Sequence, residues 1–215
     1  MFIKIFQIRE KDELNIKFMM FDYIFDLLGR IPSEEYKCVY IGYMNAHDPE
    51  EIFQRLNVGQ KPMMYQGHSL SVSDIIEIHK NIPEDKPQFL FCDPVGFREL
   101  SDFDISRCER MDGVRVVFSE PGHKPYVTFV LDELKHLQNA VSVHGEETLI
   151  EEHRPFSDFP RVVLLCNENA LLLNMPVNGV YGGVEYRGPL IFAQVDEEGN
   201  LCDLTERQIN AICSL

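Results

Sequence analysis

A chain of 215 residues, 45% of them hydrophobic and 26% charged, is long enough to bury one large core or two cores of about 100 residues each. Its 35 Asp and Glu against 20 Lys and Arg leave a net charge of −15 with His neutral. That excess argues against a direct grip on phosphate backbones, which needs clustered cations; the nearest approach to a cluster, Arg98, Arg107 and Arg110, is interleaved with Glu99, Asp102, Asp104 and Glu109.

The opening residues, Phe2 to Ile8, alternate and are rich in Ile and Phe, which predicts a strand. Lys4, Arg9 and Glu10 interrupt this apolar run too early for a signal peptide or a membrane span, so a cytoplasmic protein is expected. Leu14, Phe18, Phe21, Phe25 and Leu28 recur at helical steps and predict an amphipathic helix ending at Gly29. The aromatic set Phe18, Phe21, Tyr23 and Phe25 has the composition of a base-stacking platform, but helical spacing places most of it in the core and only Tyr23 at the surface. A second strand is predicted over Cys38 to Tyr43. Asp48, Pro49 and Glu51 then start a short helix with Ile52, Phe53 and Leu56 on its apolar side, stopped by Asn57 and Gly59. Ile75 to Ile78 and Phe89 to Phe91 read as a strand pair joined by the loop 80–87. The polar stretch Ser101 to Asp112 is the best domain boundary.

In the second half, Gly113 to Ser119 reads as a strand, Pro121-Gly122 as a turn and Tyr126 to Phe129 as the returning strand. Leu131, Leu134, Leu137 and Gln138 mark a helix behind Asp132 and Glu133. Further strands are predicted at Thr148 to Glu151, Val162 to Cys166 and Leu190 to Val195. A C-terminal helix begins at Thr205-Glu206, with Ile209 and Ile212 facing the core. This half is the more acidic, with 16 Asp and Glu against 7 Lys and Arg, compared with 19 against 13 in residues 1–110.

Six cysteines without a Cys-x-x-Cys pair argue against a zinc cage or a redox dithiol and fit buried thiols in a reducing compartment. His68, Ser69, Ser71, Ser73 and Asp74 contain the residue types of a hydrolytic triad, but neighbours in an extended segment point to opposite faces. A nucleophile elbow would also need a glycine after the serine. Backbone satisfaction in a turn is the simpler role, and the same holds for Asp93 beside Pro94 and Gly96. His144, Glu146, Glu147, Glu151, Glu152 and His153 offer nitrogen and oxygen ligands for a divalent ion. Gly145 and the branched Thr148 and Ile150 favour instead a strand with an acidic solvent face. Asn167, Asn174 and Asn178, near Pro176 and Gly179, have amides able to read a ligand, or to serve turns.

Two resemblances organise these observations. The blocks Gly67-His68-Ser69-Leu70-Ser71-Val72-Ser73-Asp74 and Cys92-Asp93-Pro94-Val95-Gly96-Phe97 resemble the signature of the YodL-like domain, a module of phages, plasmids and conjugative elements of Gram-positive bacteria. Residues Val116 to Val127, including Pro121, Gly122 and Tyr126, look like the opening of an uncharacterised phage and plasmid domain. Leu165-Cys166-Asn167-Glu168, Leu173-Asn174-Met175-Pro176-Val177-Asn178 and Gly188 to Ala193 look like its continuation. Together they cover nearly the whole chain. They imply mobile-element biology, in which YodL-like modules are similar to parts of large proteins that such elements deploy against host defence, and they bring no catalytic residue.

The expectation is therefore a two-module α+β protein, with modules at 1–105 and 112–215, each a small mixed or antiparallel sheet covered by one or two helices. Functionally it is a non-enzymatic inhibitor of a host defence protein or nucleoprotein, such as a CRISPR effector or restriction enzyme, without cofactor, metal or membrane. It would engage a basic target through acids at Glu146, Glu147, Glu151, Glu152, Asp196, Glu197 and Glu198. Two alternatives stay open. One is a hydrolase or nuclease acting on guide RNA or a signalling nucleotide, centred on His68 and Asp74 or on the cluster around His144. The other is an interaction module serving the element's own transfer or replication proteins.

Overall fold

The computed structural model describes residues 1–59, 61–62, 64–79, 86–142 and 148–215. The chain divides into two compact units, Met1–Met111 and Asp112–Leu215, both α+β and built on antiparallel strand pairs. No helix among the described residues is long and apolar enough to cross a membrane.

The first unit runs β1 (Phe2–Ile8), α1 (Phe21–Leu28), β2 (Tyr36–Tyr43), α2 (Pro49–Asn57), β3 (Ile75–His79), β4 (Gln88–Cys92) and β5 (Phe97–Leu100). Its five strands lie in the order β2-β1-β3-β4-β5. Strand alternation divides the apolar side chains between two faces. Ile3, Ile5, Ile76, Ile78, Leu90 and Cys92 share one core with Ile52 and Leu56 of α2. Asp48 starts that helix by accepting the Glu51 N–H at 2.8 Å, with Pro49 in its first turn. On the other face the Phe103 ring meets Phe6, Tyr36 and Phe89 at centroid distances of 5.3–5.6 Å. Phe103 and Met111 are buried, so apolar anchors tie the polar stretch after Ser101 into this unit.

The helix expected from Leu14 is shorter than its periodicity suggests. Lys17 N–H is taken by the Asp12 carboxylate at 2.7 Å and Phe18 N–H by Ser73 Oγ at 2.9 Å. Asn15 and Phe18 adopt left-handed φ of 54° and 65°, so α1 starts only at Phe21. The aromatic expectation is corrected with it: Phe18 is 55% and Phe25 46% exposed, alongside Tyr23 at 49%. The strand β5 has no apolar alternation to announce it, because its central Arg98 and Glu99 are exposed at a sheet edge, where charge discourages further pairing.

The second unit runs β6 (Val114–Ser119), β7 (Tyr126–Val130), α3 (Leu134–Val141), β8 (Ile150–His153), β9 (Val162–Asn167), β10 (Val177–Tyr181), β11 (Val184–Arg187), β12 (Leu190–Val195), β13 (Leu201–Cys202) and α4 (Glu206–Cys213). The main sheet has the order β7-β6-β12-β9-β8, with β13 paired to β12. Val162, Leu164, Cys166, Leu190 and Phe192 form a core with Ile209 and Ile212 of α4 and with Tyr181 and Tyr186 of the β10–β11 hairpin. Helix α3 packs against β8, β9 and β12 through its buried Leu137, Ala140 and Val141. Thr205 and Gln208 form a capping box at the start of α4, as the Thr205-Glu206 start suggests. The β10–β11 hairpin turns on Gly182 and Gly183, with φ of 57° and 82°, the left-handed pair that a two-residue hairpin loop requires.

Candidate functional site

Gln7 and Asp74 organise the first signature block, and both are buried, Asp74 to 1% exposure. Asp74 Oδ2 accepts from Ser71 N–H and from Gln7 Nε2, each at 2.8 Å. Gln7 Oε1 accepts from His68 N–H at 3.0 Å, and Tyr65 Oη donates to the His68 carbonyl at 2.7 Å. Gly67 permits this approach: a Cβ there would stand 2.3 Å from Gln7 Oε1 and 2.9 Å from Val39 Cγ2. Ser71 to Asp74 forms a turn closed by Asp74 N–H on Ser71 O at 3.1 Å. Its third residue, Ser73, is fully buried at φ 75°; the Ser73 carbonyl accepts from Tyr36 Oη at 2.9 Å.

Burial raises the Asp74 carboxyl from an ordinary 3.8 to about 8, against the opposing pull of the Ser71 and Gln7 hydrogen bonds. His68 is lowered, also chiefly by burial, so its ring is neutral at pH 7. Its Nδ1 donates to the Ser69 carbonyl at 2.6 Å and stands 3.9 Å from Asp74 Oδ2. Ser71 Oγ donates to the same carbonyl at 3.0 Å. With that hydroxyl and ring nitrogen committed to backbone oxygen, they form no nucleophile–base pair. Asp93, in the second signature block, reaches beyond its own turn. Its Oδ1 accepts Phe21 N–H at 3.1 Å at the start of α1, while its N–H donates to Gly96 O, with Gly96 at φ 72°. Phe97 pairs with Cys92 and packs against the α2-side core.

The motif residues of the second unit also serve packing. Asn178 accepts from Ser119 Oγ at 2.7 Å and donates to the carbonyls of Ser119 and Gly188 at 2.9 and 2.7 Å. Buried Asn167 accepts from Asn169 N–H at 2.9 Å, and Asn174 takes a left-handed φ of 50°. The Pro176 carbonyl accepts from Gly188 N–H at 2.9 Å. Gly122 lies at φ 81° in the β6–β7 turn, and Tyr126 Oη donates to Glu120 at 3.0 Å; burial raises the Glu120 carboxyl.

The acids named from sequence differ in their surroundings where they are described. Glu146 and Glu147, with His144, lie outside the described residues. Glu152 pairs with Arg154 at 3.0 Å and Glu197 with Arg161 at 2.6 Å. Asp196 accepts from Glu198 N–H and Asn200 N–H at 3.0 and 2.8 Å and thereby shapes its own turn. The Asn200 side-chain amide, donating to Asp196 Oδ2 at 3.1 Å, and then the Asn200 N–H hold its carboxyl below the ordinary range. Glu198 is exposed. Exposed Glu151 lies 3.3 Å from His153, and its carboxylate comes close to the Cys166 thiol.

Helix α1 carries a surface of another kind. Ile24 is its buried side chain. Phe21 anchors it against Phe91 at a centroid distance of 5.6 Å, with the Arg98 guanidinium 4.3 Å from the ring. One helical turn apart on the opposite side stand Tyr23 and Leu27, and beside them Asp22 and Asp26, all exposed. An apolar stripe and an acidic stripe thus run side by side, and Phe18, Met19 and Met20 just before the helix are exposed as well. Asp22 is bridged to Arg98 at 2.5 Å.

Gln7, Tyr65 and Cys166 were not singled out as site residues from the sequence. Gln7 has a signal, a polar side chain inside the apolar run of β1, and Cys166 lies in a quoted motif block; Tyr65 has none, because only tertiary pairing brings it into place. Set beside known proteins, residues 2–103 match the model of the YodL-like domain and residues 114–215 match that of the domain of unknown function DUF3846. No curated protein and no solved structure matches the chain.

Proposed function

Since the chain joins a YodL-like domain to a DUF3846 domain, we propose that it is a non-enzymatic binding protein of a phage or conjugative element. It inhibits a host defence protein by docking on a basic, nucleic-acid-handling target such as a CRISPR effector or a restriction enzyme. The observation that carries the reading is the outer face of α1, where Tyr23 and Leu27 lie beside Asp22 and Asp26, all in solvent. Contiguous exposed apolar side chains mark contact surfaces. Aromatic and aliphatic anchors supply affinity there, while neighbouring acids steer a cationic partner and set the register. The net charge of −15 extends that field around the protein. Glu152 and Glu197 pair with arginines and Asp196 with its own turn, as Asp22 pairs with Arg98; the contact is assigned first to α1 because there Asp26 stands beside the exposed apolar pair Tyr23 and Leu27.

The test captures proteins from host lysate on the tagged chain, identifies them by mass spectrometry, and follows phage plaques or plasmid transfer in hosts with and without each defence. Capture that falls steeply with salt and is lost in the double variant Tyr23→Ala, Leu27→Asp supports the reading, as does protection confined to a defence-bearing host. Capture indifferent to both salt and the variant counts against the α1 surface. Equal transfer in all hosts favours service to the element's own proteins. Turnover of RNA or a nucleotide that His68→Ala abolishes would overturn the binding reading altogether.

A further inference from the structure

We infer that Glu151, His153 and Cys166 form a binding site for a borderline-soft divalent cation, Zn(II) by preference, on the β8–β9 edge of the second unit. The antiparallel register sets Glu151 directly opposite Cys166, with His153 two residues further along β8 and therefore on the same face. One ligand atom from each residue, carboxylate oxygen, imidazole nitrogen and thiol sulfur, lies within 4.8 Å of the other two, and Glu151 and His153 approach to 3.3 Å. Bonds of about 2.0–2.3 Å at tetrahedral angles place ligand atoms roughly 3.3–3.7 Å apart, so side-chain rotation alone closes the set around an ion.

Two of the three donors are packed before any ion arrives. Cys166 is buried in the core that Tyr181 and Tyr186 cover, and the Tyr186 ring lies edge-on to His153 at 5.2 Å. A mixed sulfur, nitrogen and oxygen set suits zinc rather than magnesium or calcium, which take oxygen. Three protein ligands leave the fourth tetrahedral position to water or an external donor. On binding, the Cys166 S–H bond breaks, its proton goes to solvent, and sulfur donates its electron pair to the ion. One proton is released per ion and nothing is oxidised or reduced. The ion would fasten edge strand β8 to β9, independently of any contact that α1 makes.

The test uses the full chain, reduced and stripped with a chelator, titrated with Co(II) and then Zn(II). Expected is one equivalent of Co(II), visible bands of tetrahedral strength, a near-ultraviolet thiolate-to-cobalt band, and loss of all of these on adding one equivalent of Zn(II). Cys166→Ser should abolish the near-ultraviolet band, and Cys213→Ser, at the exposed thiol, should keep it. Glu151→Ala, which removes an exposed side chain and leaves the core untouched, should weaken Co(II) binding at least tenfold. Absence of the thiolate band, its survival in Cys166→Ser, or unchanged affinity in Glu151→Ala would each overturn the site.

Discussion

Replacing Asp74 by Asn should flatten the pH dependence of the first unit's stability. Both hydrogen bonds from Ser71 and Gln7 end on one oxygen, Oδ2, so an asparagine carbonyl oxygen in that place keeps both while removing the charge. The unfolded chain releases the Asp74 proton near 3.8 and the folded chain holds it to about 8. Between those values the folded state binds more protons, so stability falls as pH rises, then levels off above about 8; below 3.8 both states are protonated and the cost vanishes. At about 1.36 kcal/mol per pKa unit, the gap from 3.8 to about 8 amounts to roughly 6 kcal/mol at full development, as large as the whole stability of a modest domain. Urea midpoints from pH 5 to 9, with hydrogen exchange of β1 and β3 amides to isolate the first unit, measure it. The wild type should lose stability toward pH 8 relative to Asp74→Asn; parallel profiles for the two would refute the assignment of a buried, charge-intolerant carboxyl.

Gly67→Ala should destabilise the first unit by about 1–3 kcal/mol, the usual cost of overpacking, because its Cβ collides with Gln7 Oε1 and Val39 Cγ2. A double-mutant cycle with Gln7→Ala should show strong coupling between the two positions, and simple additivity would place the collision elsewhere. Asn178→Ala removes three hydrogen bonds, two of them to the Ser119 and Gly188 carbonyls. The loss should be at least about 2 kcal/mol, read as a lower thermal midpoint and faster amide exchange in β10.

The apolar rhythm made the framework of both units legible. β1, β3 with β4, β6 with β7, β9 and β12 all appear where alternating or continuous apolar runs stand, and Asp48 and Thr205 start α2 and α4 where their side chains announce a helix. Where side chains from elsewhere in the chain intervene, local pattern misleads. Leu14 and Phe18 have helical spacing, yet Asp12 and Ser73 capture the N–H groups that a helix would use. The β10–β11 hairpin had its Gly182-Gly183 turn in plain view, but exposed Val177, Val180 and Val184 break the half-buried alternation that identifies a strand. For the site, His68 and Asp74 were visible as residue types, whereas their partner Gln7 lies 61 and 67 positions away. Cys166 beside Glu151 follows from strand register, which one sequence does not specify.

Gln7, on an interior strand, grips a loop far along the chain, so that loop has no independent life: it loosens only when the sheet itself opens. A saturation screen would therefore score Gly67 as intolerant of any side chain and Asp74 as tolerant of asparagine alone. The damage would fall first on how much intact protein a cell retains, before any contact or chemistry is measured.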